Sequence, residues 1–386
     1  MTEKLFYQDG YVKEFDATVL SCEQTEKGYL VVLDRTGFFP EGGGQYADPG
    51  WLGEAEVLDV QEKEGTIYHA VTAPLEAGTS VHGKIDWDIR FERMQQHTGE
   101  HIISGIVHGR FGYENVGFHL ADDYCTMDFN GPITKEELKE IELEANKAVF
   151  RNLEIGIAYP SKEELKTMEY RSKIEIEGKV RIVTVPGYDV CACCAPHLRS
   201  TGEIGLIKLV NMANYKGGER ITMLCGFRAL ADYEIKEKNT KAISALLSAK
   251  EYEVADAVAH LKDELGAMKG KTVSLQQKLL AYRAEEIPVD KDMTVIFDAD
   301  LEGNAPRELM NRMLEKGAKA CAVFAGTEEA GYRYVIGSKS EDVRPLCKKI
   351  NEAFQGRGGG KAEMVQGSLH GAEEKIRAEI ADVFCI

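Results

Sequence analysis

Two pairs of metal-capable side chains, far apart in the chain, constrain this sequence most. His97 and His101 form one pair, and Cys193 and His197 the other. Residues four apart on a helix project from one face, so the two imidazoles of the first pair can grip a single cation. If both pairs serve one ion, the chain must fold back to bring remote segments together. One thiolate with three imidazoles is a borderline-soft set that suits tetrahedral Zn²⁺. A catalytic zinc needs an exchangeable position, so one of the four would bind loosely or not at all. Neither pair is decisive alone, because a lone His-x3-His is more often two solvated or capping histidines.

The first pair carries a rival reading. His97-Thr-Gly-Glu-His101 also spells H-x-x-E-H, the inverted zinc-protease signature, with Glu100 as general base. That reading needs a third ligand, usually a carboxylate from a later helix, and leaves Cys193 and His197 without a role. The sulfur ligand is also open to question, since Cys191 and Cys194 flank Cys193. The other six of nine cysteines (Cys22, Cys125, Cys225, Cys321, Cys347, Cys385) are scattered and are expected to be buried as small apolar residues. The segment Met1–Asp9 has no apolar core of a secretory signal, and no apolar run reaches the roughly 18 residues a membrane span needs. A cytoplasmic location without disulfides is expected. The net charge of −17 argues against a chain coated in positive charge to hold nucleic acid non-specifically, but leaves room for a local basic patch.

The fold class expected is α+β, in four parts. Residues 1–88 form a β-rich subdomain, a small barrel, with strands at 28–34 and 66–71 and turn residues dense between Gly37 and Gly50. Residues 89–227 form an α+β domain with a helix over 91–110, a second helix capped by Thr134 and running to Arg151, and strands near 154–158, 181–185 and 204–211. Residues 228–286 form one long helical stretch. Leu247, Val254, Leu261, Met268 and Leu275 recur every seven residues, while Glu251 and Thr272 interrupt the companion positions and Gly266 and Gly270 weaken the helix. A helical arm, an antiparallel hairpin and a dimeric coiled coil are all open. Residues 287–386 alternate strands (293–298, 320–325) with helices (305–316, 343–354), a small α/β pattern.

A second chemical feature is Thr36-Gly-Phe-Phe-Pro-Glu-Gly-Gly-Gly-Gln45. Consecutive glycines let backbone amides approach a ligand closely, although a tight hairpin explains them as well. Thr36 and Gln45 flank the run and could hydrogen-bond a small polar group.

Taken in order, the motifs resemble a family. Phe39-Pro-Glu-Gly-Gly-Gly-Gln45, Gln96-His-Thr-Gly-Glu-His101, and Cys193-Cys-Ala-Pro-His197 followed by Thr201-Gly-Glu-Ile-Gly205 are similar to the AlaX alanyl-tRNA editing proteins, relatives of the alanyl-tRNA synthetase editing domain. Gly356-Arg-Gly-Gly-Gly360 with Val365-Gln-Gly367 resembles the glycine-rich signature of the DHHA1 domain. The resemblance spans nearly the whole chain, in the long form of the family. It departs at Cys-Cys-Ala-Pro-His, where the family commonly has Cys-Gly-Gly-Thr-His.

The resemblance implies zinc held by His97, His101, Cys193 and His197, and hydrolysis of tRNA(Ala) mischarged with serine or glycine. It makes Thr36 and Gln45 the candidates for recognising the serine hydroxyl. A synthetase pocket for alanine cannot strongly reject serine, whereas a site built to bond a hydroxyl rejects the analogue lacking it. Glu100 and Asp128 are candidate proton acceptors, with solvated surface carboxylates the plainer reading. Lys348, Lys349, Arg357 and Lys361 cluster near the second glycine run and are candidates for contacting tRNA phosphates. A homodimer through the helical arm or the last domain is open, no membrane contact is expected, and an upstream activation domain has no room. Competing readings are a zinc peptidase, a non-catalytic tRNA-binding protein with structural zinc, and a DHH-type phosphoesterase. The last is remote, because no Asp-His-His triplet occurs.

Overall fold

A computed structural model describes residues 1–26, 28–121, 123–172 and 180–384, and the chain divides into two compact units, Met1–Ala242 and Ile243–Ile386. The fold is mixed α+β. In the first unit, the strands Glu14–Thr25, Gly28–Leu33, Thr66–Val71, Ala55–Lys63, Gly50–Leu52 and Ser80–Ile85 close into a barrel in that spatial order. Alternation drives this. In Ser80–Ile85 each second residue is buried, and the inward set (Val31, Leu33, Leu52, Val57, Val60, Ile67 and Ile85 among it) fills the interior.

Beside the barrel runs the helix Trp87–Phe111. Asp86 caps its start by accepting from Ile89 N, and Gly112 ends it in the left-handed conformation. The expected helix began at residue 91; the cap adds a turn. Every residue from Arg93 to Gly105 is buried, polar ones included, so this central stretch of the helix has no solvated face. It lies against a four-stranded antiparallel sheet in the order Ile207–Tyr215, Gly218–Cys225, Cys125–Phe129, Asn115–Leu120. The helix Lys135–Arg151 packs beside it and opens with the Thr134–Glu137 capping box. A three-stranded sheet, Gly156–Ala158, Ile182–Val185 and Asp189–Ala192, completes the unit. The expected strand at 204–211 starts at Ile207, because Thr201–Ile204 closes into a 3₁₀ turn.

The expected single helical stretch is broken. Gly226–Leu247 ends where Ser248 takes φ +52° and the Ser244 hydroxyl donates to Ala249 O, and Val254–Glu286 follows after a short 3₁₀ turn. The second helix runs through Gly266 and Gly270, and Leu261, Leu265, Met268, Leu275 and Leu279 on it are exposed. The second unit also departs from a simple strand–helix alternation. Its five-stranded sheet runs Met293–Asp298, Ala320–Thr327, Gly331–Ser338, Met364–Leu369, Arg357–Lys361, and only the first pair is parallel. The glycine run lies in the last of these, an exposed edge strand. No helix among the described residues is long and apolar enough to cross a membrane. Cys125, Cys225, Cys321 and Cys347 are buried, Cys22 is half-buried, and none of these is in a disulfide, while Cys385 lies outside the described residues.

Candidate metal centre

Buried cations fasten the barrel to the helix: Arg93 donates to Ala47 O, and Arg90 makes the larger set of bonds. Arg90 is wholly buried; its Nε donates to Asp48 Oδ2 at 2.8 Å, Nη1 to Gly10 O at 2.9 Å and Nη2 to Gly37 O at 2.7 Å. Asp48 Oδ2 also accepts Phe39 N at 2.6 Å, which holds the start of the glycine loop. The loop then turns on itself, Gly42 N donating to Gln45 O and Gln45 N to Gly42 O. Gly44, at φ +83°, passes so close to the Asn115–Leu120 strand that a Cβ would sit 2.5 Å from Phe118 O. Gln45 thereby enters the interior above the helix.

Three segments meet there. The ligand-capable atoms of His97, His101, Cys193 and His197 all lie within 4.8 Å of one another. Cys193 Sγ is 3.5 Å from His97 Nε2 and 3.3 Å from His197 Nε2. The three imidazoles are almost fully buried. Of the neighbouring sulfurs, Cys194 is exposed, while Cys191 Sγ contacts Ala192 O at 3.6 Å and groups with His101 and Asp189, whose ligand-capable atoms lie within 4.8 Å of it, and not with the four-residue cluster.

The other nitrogen of each ring is held from behind. His97 Nδ1 donates to Gln45 Oε1 at 2.9 Å and His101 Nδ1 to Asp189 Oδ2 at 2.8 Å, while His197 Nδ1 lies 3.3 Å from Thr98 Oγ1. Asp189 is gripped in turn by Arg171, through Nε to Oδ1 at 2.8 Å and Nη2 to Oδ2 at 2.9 Å. Such outer partners set the tautomer and aim the free nitrogen inward. Gly105 allows this, since a side chain there would collide with Tyr188 O beside Asp189. Sequence reasoning passes over Asp189, Arg171 and Thr98. Asp189 does stand four residues before Cys193, the same interval that links the two metal-capable pairs.

The electrostatics suit a thiolate. Burial pushes the Cys193 thiol up, but the His97 and His197 rings outweigh it and hold it well below the ordinary thiol range. Burial pushes His101 down, and its bond to Asp189 overrides that, raising it to about 10. Burial dominates at His197, lowering it to about 3.

The other candidate residues divide between the barrel, the helix and the second unit. Gln45 is fully buried, and its Nε2 has no hydrogen-bond partner. Thr36 is buried in the barrel against His69. His69 Nδ1 faces the carbonyl of Val31 at 3.2 Å and so carries the proton; Nε2 then accepts from the Thr36 hydroxyl at 2.9 Å, and Phe38 N donates to Thr36 Oγ1 at 3.1 Å. Glu100 is buried, with Oε1 accepting from Asn115 at 2.6 Å and Ser104 at 2.7 Å. Asp128 is clasped by Arg220 at 2.6 and 2.7 Å. Lys348 and Lys349 lie on the helix Arg344–Ala353, and Arg357 and Lys361 at the ends of the edge strand. Lys349 is paired with Asp382 at 2.5 Å and Glu379 at 3.1 Å.

Fold and site define an α+β protein built around a buried thiolate-and-imidazole centre. Comparison with known proteins places it more closely. The threonyl and alanyl tRNA synthetase second additional domain matches residues 180–222, the class II (A) tRNA synthetase domain residues 5–89, and the DHHA1 domain residues 290–384. The alanine–tRNA ligase of Archaeoglobus fulgidus is 31% identical over 99% of this chain, which spans 43% of that relative's length. The alanyl-tRNA editing protein AlaX-L of Pyrococcus horikoshii is 26% identical over 97% of this chain and 96% of its own, and the alanyl-tRNA editing protein Aarsd1 of Rattus norvegicus 27% identical over the same shares. Over nearly its whole length the chain is similar to alanyl-tRNA editing proteins and to part of an alanine–tRNA ligase.

Proposed function

We propose that this chain is an aminoacyl-tRNA deacylase that hydrolyses the ester of tRNA(Ala) mischarged with serine, and also with glycine, at a zinc centre held by His97, His101, Cys193 and His197. The observation that carries this reading is the convergence of those four side chains within 4.8 Å. Its dimensions fit the metal. Zn–S near 2.3 Å and Zn–N near 2.1 Å in a tetrahedron require an S···N edge of about 3.6 Å, and the two separations are 3.5 and 3.3 Å. When bound, the metal would polarise the ester carbonyl or acidify a water.

The protein's own contribution is alignment and selection. Gln45 steadies His97 through Oε1 and leaves Nε2 as a buried donor without a partner. Such an orphan costs about 1–3 kcal/mol and is satisfied by a substrate oxygen. The Thr36 proton is committed to His69, so toward a ligand Thr36 offers a lone pair, the complement of a serine hydroxyl. The peptidase reading is disfavoured: the four-residue group contains no carboxylate, the nearby Asp189 is engaged by His101 Nδ1 and Arg171, and Glu100 is tied to Asn115 and Ser104.

In the second unit we assign tRNA phosphate binding to Lys348, Arg357 and Lys361, with Lys349 a lesser contributor. The exposed apolar positions of Val254–Glu286 support a homodimer, which light scattering would reveal as a doubled mass. The deciding experiment is deacylation of Ser-, Gly- and Ala-tRNA(Ala) by the wild type and His97→Ala, with metal content measured alongside. The expected result is loss of both metal and Ser-tRNA(Ala) hydrolysis in the variant, with Ala-tRNA(Ala) spared by the wild type. Thr36→Val should blunt the serine preference at unchanged metal content. A wild type inert toward Ser-tRNA(Ala) sinks the reading.

A further inference from the structure

An ester carried on a ribose brings a nucleoside with it, and the deacylase reading leaves that nucleoside unplaced. One cavity of about 430 Å³ has a member of the metal cluster, His197, in its wall. Its other walls come from the N-terminal turn (Tyr7, Gly10 and Tyr11), the segment carrying Ile157 and Tyr159, and Arg181. The volume falls in the range of cavities that enclose small ligands, about 300–1,000 Å³, and exceeds what a serine side chain needs.

Arg181 is the feature that asks for a ligand. Its exposure is 7%, yet Nε has no partner. Nη1 is fully employed, donating to Cys193 O at 2.9 Å and Ala195 O at 3.0 Å. The same guanidinium therefore braces the backbone of Cys193 and carries a buried donor without a protein partner, on a residue that lines the cavity. A buried charged donor without an acceptor is unfavourable unless something else supplies an oxygen. Around it the wall is aromatic: Tyr159 donates to Tyr7 O at 3.1 Å, which leaves its half-exposed ring as a face. At the rim Arg199 stacks on Tyr11, 4.1 Å from guanidinium carbon to ring centre, and reaches Asp9 at 3.1 Å. Flat aromatic faces, a buried donor for an oxygen and an exposed cation at the mouth are what a base, a ribose and a phosphate require.

We propose that this cavity is the subsite for the terminal nucleoside of the substrate, with Tyr159 as the stacking face and Arg181 as the positioning donor that ties nucleoside binding to the Cys193 segment. The proposal rests on the deacylase reading, and the experiment separates the two. The probe is a non-hydrolysable seryl amide of 3′-amino-3′-deoxyadenosine, titrated calorimetrically into the metal-loaded full chain beside serinamide, which lacks the nucleoside. The wild type should bind the adenosine-bearing probe at least ~10-fold more tightly than serinamide, and Tyr159→Leu should erase most of that difference. In kinetics, Tyr159→Leu should raise KM for Ser-tRNA(Ala) more than it lowers kcat, with metal content unchanged. Arg181→Met should weaken the same probe; if it sheds metal or fails to fold, Tyr159→Leu alone decides, since that side chain is half-exposed. Equal affinity for the two probes, or a Tyr159→Leu variant binding within 2-fold of wild type, overturns the subsite while leaving the deacylase reading intact. A wild type that does not hydrolyse Ser-tRNA(Ala) removes both.

Discussion

Replacing Asp189 by asparagine separates what the outer partners do for the metal from what they do for the fold. The carboxylate has two clients: Oδ2 receives His101 Nδ1 at 2.8 Å, and both oxygens receive Arg171 at 2.8 and 2.9 Å. The Asp189 and Arg171 side chains are 2% and 9% exposed, so solvent screens little of this. Asparagine keeps one acceptor oxygen and turns an NH₂ toward a donor, so one client goes unserved. Loss of such an outer carboxylate typically weakens a metal by about 10–100-fold, or roughly 1.4–2.7 kcal/mol. Stripping the buried Arg171 of its countercharge costs a further ~3–5 kcal/mol of folding stability, a separate quantity. Chelator competition reads the first and urea unfolding of the metal-free protein reads the second. Arg171→Gln is the control, because it leaves the Asp189–His101 bond in place: it should lose stability while holding metal more tightly than Asp189→Asn does. If Asp189→Asn binds metal within 2-fold of the wild type, the carboxylate does not orient His101 and its role in the centre is refuted.

Three other perturbations test the frame around the site. Arg90→Met should cost ~3–5 kcal/mol in urea unfolding by stranding the buried Asp48, and adding Asp48→Leu should recover part of it; a double variant no better than the single one refutes the ion-pair account. His69 is fully buried, and burial lowers its pKa to about 4. The unfolded chain takes up that proton near pH 6.5 and the folded one only near 4, so the wild type should lose up to ~3 kcal/mol as pH falls across that window, and His69→Gln should flatten the slope. Identical slopes would show that His69 is not the group responsible. Replacing Lys348, Arg357 and Lys361 together should reduce the slope of log affinity for tRNA against log salt by about 0.7–0.9 for each phosphate no longer neutralised, whereas Lys349, already paired with Asp382 and Glu379, should change it little; an unmoved slope removes the three from the interface.

How much of this the sequence disclosed follows from what periodicity can report. His97 with His101 and Cys193 with His197 stand out because metal-capable side chains four apart mark their own spacing. The strand edges of the last domain at Met293–Asp298 stand out because a buried apolar run is bounded by polar residues. The break after Leu247 does not, since it depends on Ser248 accepting φ +52° and on a Ser244 hydroxyl bond, neither of which alters the apolar pattern. The strand Arg357–Lys361 is invisible for the opposite reason: an exposed edge of glycines carries no side-chain alternation at all.

The outer partners mark the deeper limit. Gln45 stands in a loop, Asp189 at the start of a strand and Thr98 beside a ligand on the same helix, and nothing in their spacing announces a common task. What unites them is that Arg93–Gly105 is buried on every side. A helix in that position must find a partner for each polar group it carries, and around the cluster those partners are supplied from three directions: the barrel loop to His97, the strand to His101 and the helix itself to His197. The barrel is therefore part of the candidate metal centre and not a separate module leaning on it. Arg90 joins the two by holding Asp48, Gly37 and Gly10 at once, and Asp48 holds the loop that delivers Gln45. Damage at Arg90, two turns before the first ligand on the helix, should then reach His97 through Gln45 before it reaches His101 or His197. Metal bound by Arg90→Met should accordingly show the loosened environment at the His97 ring first, which imidazole NMR resolves; an equal disturbance of all three rings would mean that the helix, and not the loop, transmits it.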